Sequence, residues 1–238
     1  MIAINYLAIW LITNLSAFFT TVHAQSVPSS ECATGIHAIL ARGEGGGDPL
    51  NVLVSISNLI LEQIPGSTTL GLPYPYGNEN KAQAVHDGAL MFQDYVQQYV
   101  ASCPNAKILL LGYSLGACAM MDALCGTSSF FFDPVSALQS TYAKNVIVAA
   151  AYGDETYVPG MPWNTGNCTI GLGIFPRLNP HSCDPFAASL HSYCDYGDSQ
   201  CCALLPWDDN AAHHTYVDKY NQAVVDFAKQ RLAEVDGP

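Results

Sequence analysis

The chain has 238 residues, half of them hydrophobic and only 12% charged, which excludes a disordered protein and suffices for one sizeable core. Twenty acids against eight bases give a formal charge of −12, so neither nucleic acid nor a membrane surface is an expected partner. Nine cysteines point to an oxidising compartment.

In chain order, Ile2 to Phe19 is almost wholly apolar, and Val22-His23-Ala24 supplies the small −3 and −1 residues of a signal-peptidase site. The pattern predicts a signal peptide over 1–24 and one catalytic domain over 25–238, secreted and extracellular, working as a monomer. The n-region departs from the signal-peptide pattern in carrying no Lys or Arg, and an N-terminal membrane anchor is the alternative; against it, a cleavage site follows at once and cysteines fill what remains.

Ile36 to Ala41 is a short apolar run, a first strand, ending at Arg42 and a glycine-rich loop. Asp48-Pro49 has the form of an N-cap with proline at the first helical position, predicting a helix over Leu50 to Glu62 that stops at Pro65-Gly66. Thr68 to Tyr76 reads as a second strand. From Asn80 to Ser102, Val85, Ala89, Phe92, Val96 and Tyr99 recur every three or four residues, the period of an amphipathic helix. Lys107 to Leu111 (KILLL) and Asn145 to Ala151 (NVIVAAA) are bare apolar runs suited to buried parallel strands, with a helix to Leu124 between them. A last helix spans Tyr216 to Leu232. This alternation implies a three-layer α/β/α sandwich around a mainly parallel sheet.

Between Tyr152 and Asn210 the periodicity vanishes among Gly, Pro, Asp, Trp and five cysteines, with Cys125 just upstream. Disulfides can hold so long a loop, and functional loops gather beyond strand ends in this fold class.

Gly112-Tyr113-Ser114-Leu115-Gly116 is a G-x-S-x-G pentapeptide. Alone it recurs too often by chance to identify an enzyme, but here it joins the KILLL strand to a helix rich in small residues. That is the strand–turn–helix of a nucleophile elbow, which aims a serine hydroxyl out of the sheet edge and leaves helix N-terminal N–H groups for an oxyanion. A serine nucleophile needs a base and an orienting acid, and in such chains the order is Ser, acid, His. Of His181, His191, His213 and His214, the last two precede the final helix and are preferred. The acids are Asp122, Asp133, Asp154, Asp184, Asp195, Asp198, Asp208 and Asp209. Asp198 lies between Cys194 and Cys201, where a local disulfide would fix its carboxylate, but spacing does not exclude Asp195 or Asp208.

The run GYSLGACAMMDALCG (Gly112 to Gly126) resembles the nucleophile segment of the cutinase and acetylxylan esterase family. SYCDYGDSQCC (Ser192 to Cys202) resembles its acid loop, and His213-His214-Thr215-Tyr216 its H-x-x-Y element; Arg42 and Cys103-Pro104 match as well. The resemblance covers nearly all of the predicted mature chain and implies a cutinase-like, disulfide-stapled α/β-hydrolase fold. It implies Ser114 as nucleophile, Asp198 as orienter and His213 as base, with disulfides Cys32–Cys103, Cys125–Cys183, Cys168–Cys202 and Cys194–Cys201 and a free Cys118. The backbone N–H groups of Leu115 and Glu44 are the expected oxyanion hole. Two positions depart from the family pattern: Glu44 stands in place of Ser or Thr, and Leu115 in place of Gln. A carboxylate aimed at the oxyanion would repel it, so the Glu44 side chain is expected to point outward.

The expected reaction is hydrolysis of a plant cell-wall ester through an acyl-enzyme, with activity falling on the acid side as the imidazole takes up a proton. The double-cysteine acid loop and the ALCG segment resemble those of acetylxylan esterases more than those of typical cutinases, which implies acetylated xylan as substrate, with Tyr157, Trp163 and Trp207 available to stack on sugars. Leu115, Val158, Met161, Leu204 and Leu205 would instead serve cutin as an apolar rim. A catalytically silent wall-binding protein is the alternative that Glu44 raises. A zinc site from Cys201-Cys202 and His213-His214 is set aside because no C-x-x-C pair exists, and the loop after Arg42 lacks the Lys-Ser/Thr of a phosphate cradle; no metal or cofactor is expected. Asn167-Cys168-Thr169 has the form of a glycosylation sequon.

Overall fold

A computed structural model of the chain describes residues 32–45, 47–75, 80–203 and 210–237. The predicted signal peptide, Tyr76, Leu204, Leu205, Trp207, Asp208 and Asp209 lie outside them.

Among the described residues six strands form one sheet, all pairings parallel: β1 (His37–Ala41), β2 (Thr68–Gly71), β3 (Ile108–Tyr113), β4 (Val146–Tyr152), β5 (Asn164–Thr165) and β6 (Leu190–Tyr193), in the order β2-β1-β3-β4-β6-β5. Helices α1 (Val54–Gln63) and α4 (Tyr216–Asp236) cover one face; α2 (Lys81–Ser102) and α3 (Leu115–Cys125) cover the other. Strand alternation explains both faces. In β3, Ile108 and Leu110 enter the α2–α3 core beside Phe92 and Val96, while Leu109 and Leu111 enter the α1–α4 core beside Ile56 and Val224. Burying Phe92 alone contributes roughly 2–3 kcal/mol.

The predicted helix start at Asp48-Pro49 is corrected. The Asp48 carboxylate caps only a local turn, accepting the Leu50 N–H at 2.7 Å. Asn51, at φ +45°, opens a short 3-10 turn over Asn51–Leu53, and α1 begins only at Val54. The second strand ends at Gly71, before Pro73 and Pro75, rather than running to Tyr76. Asn80 does cap α2, its side chain accepting the Gln83 N–H at 3.1 Å.

The aperiodic stretch holds β5, β6 and a 3-10 helix at Pro180–Phe186. Disulfides tie it down: Cys125–Cys183 anchors that 3-10 helix to α3, while Cys168–Cys202 and Cys194–Cys201 cross-link the segment beyond β6. Cys32–Cys103 joins the approach to β1 to the end of α2, and Cys118 is a buried free thiol inside α3. From β1 the chain moves outward to β2 and then returns to the other side as β3. The ends of β1 and β3 therefore border the crevice where open parallel sheets place their sites.

Candidate active site

Ser114 closes β3 and opens α3 at φ +55°, ψ −122°, a strained conformation for a non-glycine residue. The flanking glycines are steric necessities. A Cβ on Gly112 would lie 2.3 Å from the Gly116 carbonyl oxygen, and one on Gly116 would lie 2.2 Å from that of Ala41. Close contact with β1 thus locks the elbow against the neighbouring strand. Gly43, just beyond β1, also sits against the serine, since a Cβ there would meet the Ser114 Cβ at 3.0 Å.

Across the cleft, His213 Nε2 lies 2.9 Å from Ser114 Oγ, and His213 Nδ1 lies 2.9 Å from Asp198 Oδ2. Asp198 is fully buried, and its Oδ1 accepts the backbone N–H groups of Gln200 (2.7 Å) and Cys201 (3.2 Å). Its Oδ2 also accepts the Tyr216 hydroxyl at 2.8 Å. Burial alone would raise this carboxyl's pKa, but the hydrogen bond and charge of His213, the Tyr216 hydroxyl and the Gln200 N–H outweigh it and hold the group below its ordinary value. An ionised carboxylate only accepts, so the proton of a neutral imidazole belongs on Nδ1, and Nε2 turns its lone pair to the serine. The Tyr113 hydroxyl fixes the histidine backbone by donating to the His213 carbonyl at 2.8 Å.

The remaining candidates lie elsewhere or face away. His181 is exposed beside Asp184, and His191 stacks on Phe227 at 3.9 Å, its pKa lowered by burial. His214 is exposed on the cleft rim. Asp122 is buried in an ion pair with Arg177, and burial raises its pKa against that pairing. Asp154 accepts from Thr156, Asp195 pairs with Lys219, and Asp133 is exposed. The sulfurs of Cys168, Cys194 and Cys202 lie close enough together to suggest metal ligands, but each is bonded in a disulfide.

Several predicted substrate contacts are corrected. Leu115 is buried against Val85, Cys118 and Phe132, so its side chain forms no rim. Tyr157 is buried with its hydroxyl on the Cys168 carbonyl at 2.7 Å, and Trp163 lies in the core beneath the loops; neither offers a ring face to a sugar. Val158 and Met161 line a small separate cavity beside Trp163 and Arg177. Asn167 is exposed, and its side-chain oxygen accepts the Tyr196 N–H at 2.6 Å.

Two residues of the site carry no periodic or motif signal. Gly153, at φ +58°, backs the histidine–aspartate pair: a Cβ there would lie 2.9 Å from both Asp198 Oδ2 and His213 Nδ1. Glu155 is a buried carboxyl on the cleft wall whose Oε2 has no hydrogen-bond partner among the described residues, and burial raises its pKa. The cleft holds about 350 Å³. Its walls are mostly polar, with Glu44, Asn51, Lys81, Gln200 and Asn210 around Ser114 and His213, and Val52 the one aliphatic residue among the described lining. The Glu44 carboxylate pairs with Lys81 at 2.7 Å.

Comparison with known proteins gives this arrangement its context. A family model described as Cutinase matches residues 32–232. Cutinase 11 of Verticillium dahliae is 30% identical over 231 residues, covering 91% of this chain and 73% of that protein. An acetylxylan esterase of Hypocrea jecorina is 29% identical over 234 residues, covering 91% and 74%. Among solved structures, the catalytic core domain of acetyl xylan esterase from Trichoderma reesei superposes with a TM-score of 0.77 at 28% identity, over 85% of this chain and all of that one. With a matching sequence along nearly the whole described chain and the same parallel sheet beneath it, the chain belongs to the cutinase family of carboxylic ester hydrolases.

Proposed function

We propose that the protein is a secreted serine esterase of one catalytic domain, with Ser114 as nucleophile, His213 as general base and Asp198 as its orienter. The support is the unbroken chain of contacts from Ser114 Oγ through both nitrogens of His213 to a buried carboxylate. His213 takes the Ser114 proton as Oγ attacks an ester carbonyl. The backbone N–H groups of Leu115, at the start of α3, and Glu44, beyond β1, receive the oxyanion; His213 then protonates the departing alcohol. A water deprotonated by His213 next attacks the acyl-enzyme, releasing the acid and restoring the serine. Asp198 stays ionised throughout and steadies the imidazolium.

The substrate reading is deacetylation of xylan. Polar walls suit a hydroxylated alcohol component, and the burial of Leu115 removes one apolar surface that cutin chains would need. Ser114→Ala should lower esterase turnover by at least about 10⁴-fold, and a serine-directed phosphonate should label Ser114 in the parent protein only. Acetate release from acetylated xylan should exceed acyl release from cutin. A clear preference for C8 over C2 p-nitrophenyl esters would reverse the substrate assignment, and an unlabelled Ser114 would favour a silent binding protein.

A further inference from the structure

The Glu44 carboxylate stands where a negative charge is least compatible with the chemistry. Residue 43 touches the nucleophile, residue 44 lines the same cleft, and the loop backbone cannot withdraw. It is braced from below: the Arg42 guanidinium donates to the carbonyls of Gly43 (3.2 Å) and Gly45, and the Tyr74 hydroxyl donates to the Arg42 carbonyl at 2.6 Å. The freedom left at this position is in the side chain.

Lys81 is the single lysine or arginine among the described residues lining the cleft, and its ammonium holds the Glu44 carboxylate at 2.7 Å. Helix formation does not ask for it. Lys81 is the first residue of α2, where the helix dipole disfavours a cation and the first turn contains no acid. The hydrogen bond to Glu44 leads in raising the lysine's pKa, so it stays charged. On the wall, Glu155 adds a second acid whose ionised form Lys81 favours and Glu44 opposes. Without Lys81, two carboxylates would share this side of the cleft with no cation between them.

We propose that Lys81 is a positioning residue for the hydrolysis: it draws the Glu44 carboxylate away from the point where the oxyanion forms, so that this chain works with an acid in its oxyanion loop. The inference rests on the esterase reading above. It explains how the departure at residue 44 is tolerated, by a cation placed at the start of the facing helix.

Both partners are nearly half exposed (46% and 44%), and such pairs contribute little to folding, so Lys81→Met should fold normally. The test is a double-mutant cycle on a soluble acetyl ester. Lys81→Met should lower kcat by about tenfold or more with KM within about twofold, and Lys81→Arg should restore most of it. In a Glu44→Gln background the same Lys81→Met change should alter kcat by less than about twofold. An unchanged kcat in Lys81→Met, or the same loss in both backgrounds, overturns the proposal. Phosphonate labelling separates the two levels. A parent protein that takes up no label at Ser114 overturns the esterase reading itself, whereas a labelled parent with a flat cycle overturns only the role of Lys81.

Discussion

At the end of β3, Ser114 is held by regular structure. A buried strand enters it, a helix leaves it, and two glycines let the turn close at distances no side chain would permit, Gly112 against the start of α3 and Gly116 against β1. On the other side of the cleft, Asp198 and His213 sit in a segment with little regular structure. There the Cys194–Cys201 bond, the Tyr216 hydroxyl and two backbone N–H groups do the holding. Both sides lean on the core, since Cys194, Cys201 and Tyr216 are buried in the α1–α4 cluster, but Ser114 is held by backbone packing of strand and helix, whereas Asp198 and His213 are held by a disulfide and a few polar contacts. Crowding the backbone around the first should register mainly as lost stability, and removing a single polar group from the second mainly as lost activity.

The largest test of that division is Asp198→Asn. The amide keeps the carboxylate's shape but no longer dictates which imidazole nitrogen carries the proton, so kcat should fall by roughly 10⁴-fold while circular dichroism stays native. A fall of less than about tenfold would remove Asp198 from the mechanism. Next is Gly116→Ala on the elbow side. Its Cβ would sit 2.2 Å and 2.4 Å from the carbonyl oxygens of Ala41 and Arg42, and neither backbone can rotate away. Overpacking of this kind should cost about 3 kcal/mol or more and lower Tm by roughly 10 °C; an unchanged Tm would show that the elbow is not locked to the sheet.

The smallest effect concerns acid stability on the sheet side. His37 in β1 is buried between the Tyr99 ring, 3.8 Å away, and the Thr68 hydroxyl, and burial lowers its pKa from 6.5 to about 4. Between those values the unfolded chain binds a proton that the folded chain refuses, so stability falls as pH drops through this window. The loss from pH 7.5 to pH 5 should be about 2 kcal/mol from this residue. Urea unfolding of His37→Gln at both pH values should show a correspondingly smaller difference than the parent; an equal difference would refute this assignment.

The elements legible in the sequence are those whose burial leaves a pattern. KILLL and NVIVAAA are strands covered on both faces, and the α2 residues from Val85 to Tyr99 repeat at the helical period. β5 and β6 are illegible because two and four residues containing Asn, Thr, His and Ser carry no such signal; they are strands because β4 offers an edge to β6 and β6 in turn offers one to β5. The helix start at Asp48-Pro49 was misread because cap chemistry cannot reveal the positive φ of Asn51. In the site, Ser114 stands out by local context, whereas Asp198 had rivals that only motif resemblance or coordinates could separate. Gly153 and Glu155 acquire meaning only through neighbours distant in sequence. Trp163 and Tyr157 looked like sugar platforms because composition shows that a loop is aromatic, not that its rings face inward.

The adjacent residues Cys201 and Cys202 are bonded to different partners, Cys194 and Cys168. During oxidative folding, an exchange between these neighbouring sulfurs would keep all four disulfide bonds in number while turning the backbone under Asp198. Such an isomer would share the native mass and retain most of the core. Recombinant material should therefore be judged by its disulfide map and active-site titre, and a production host with strong isomerase activity is the better choice.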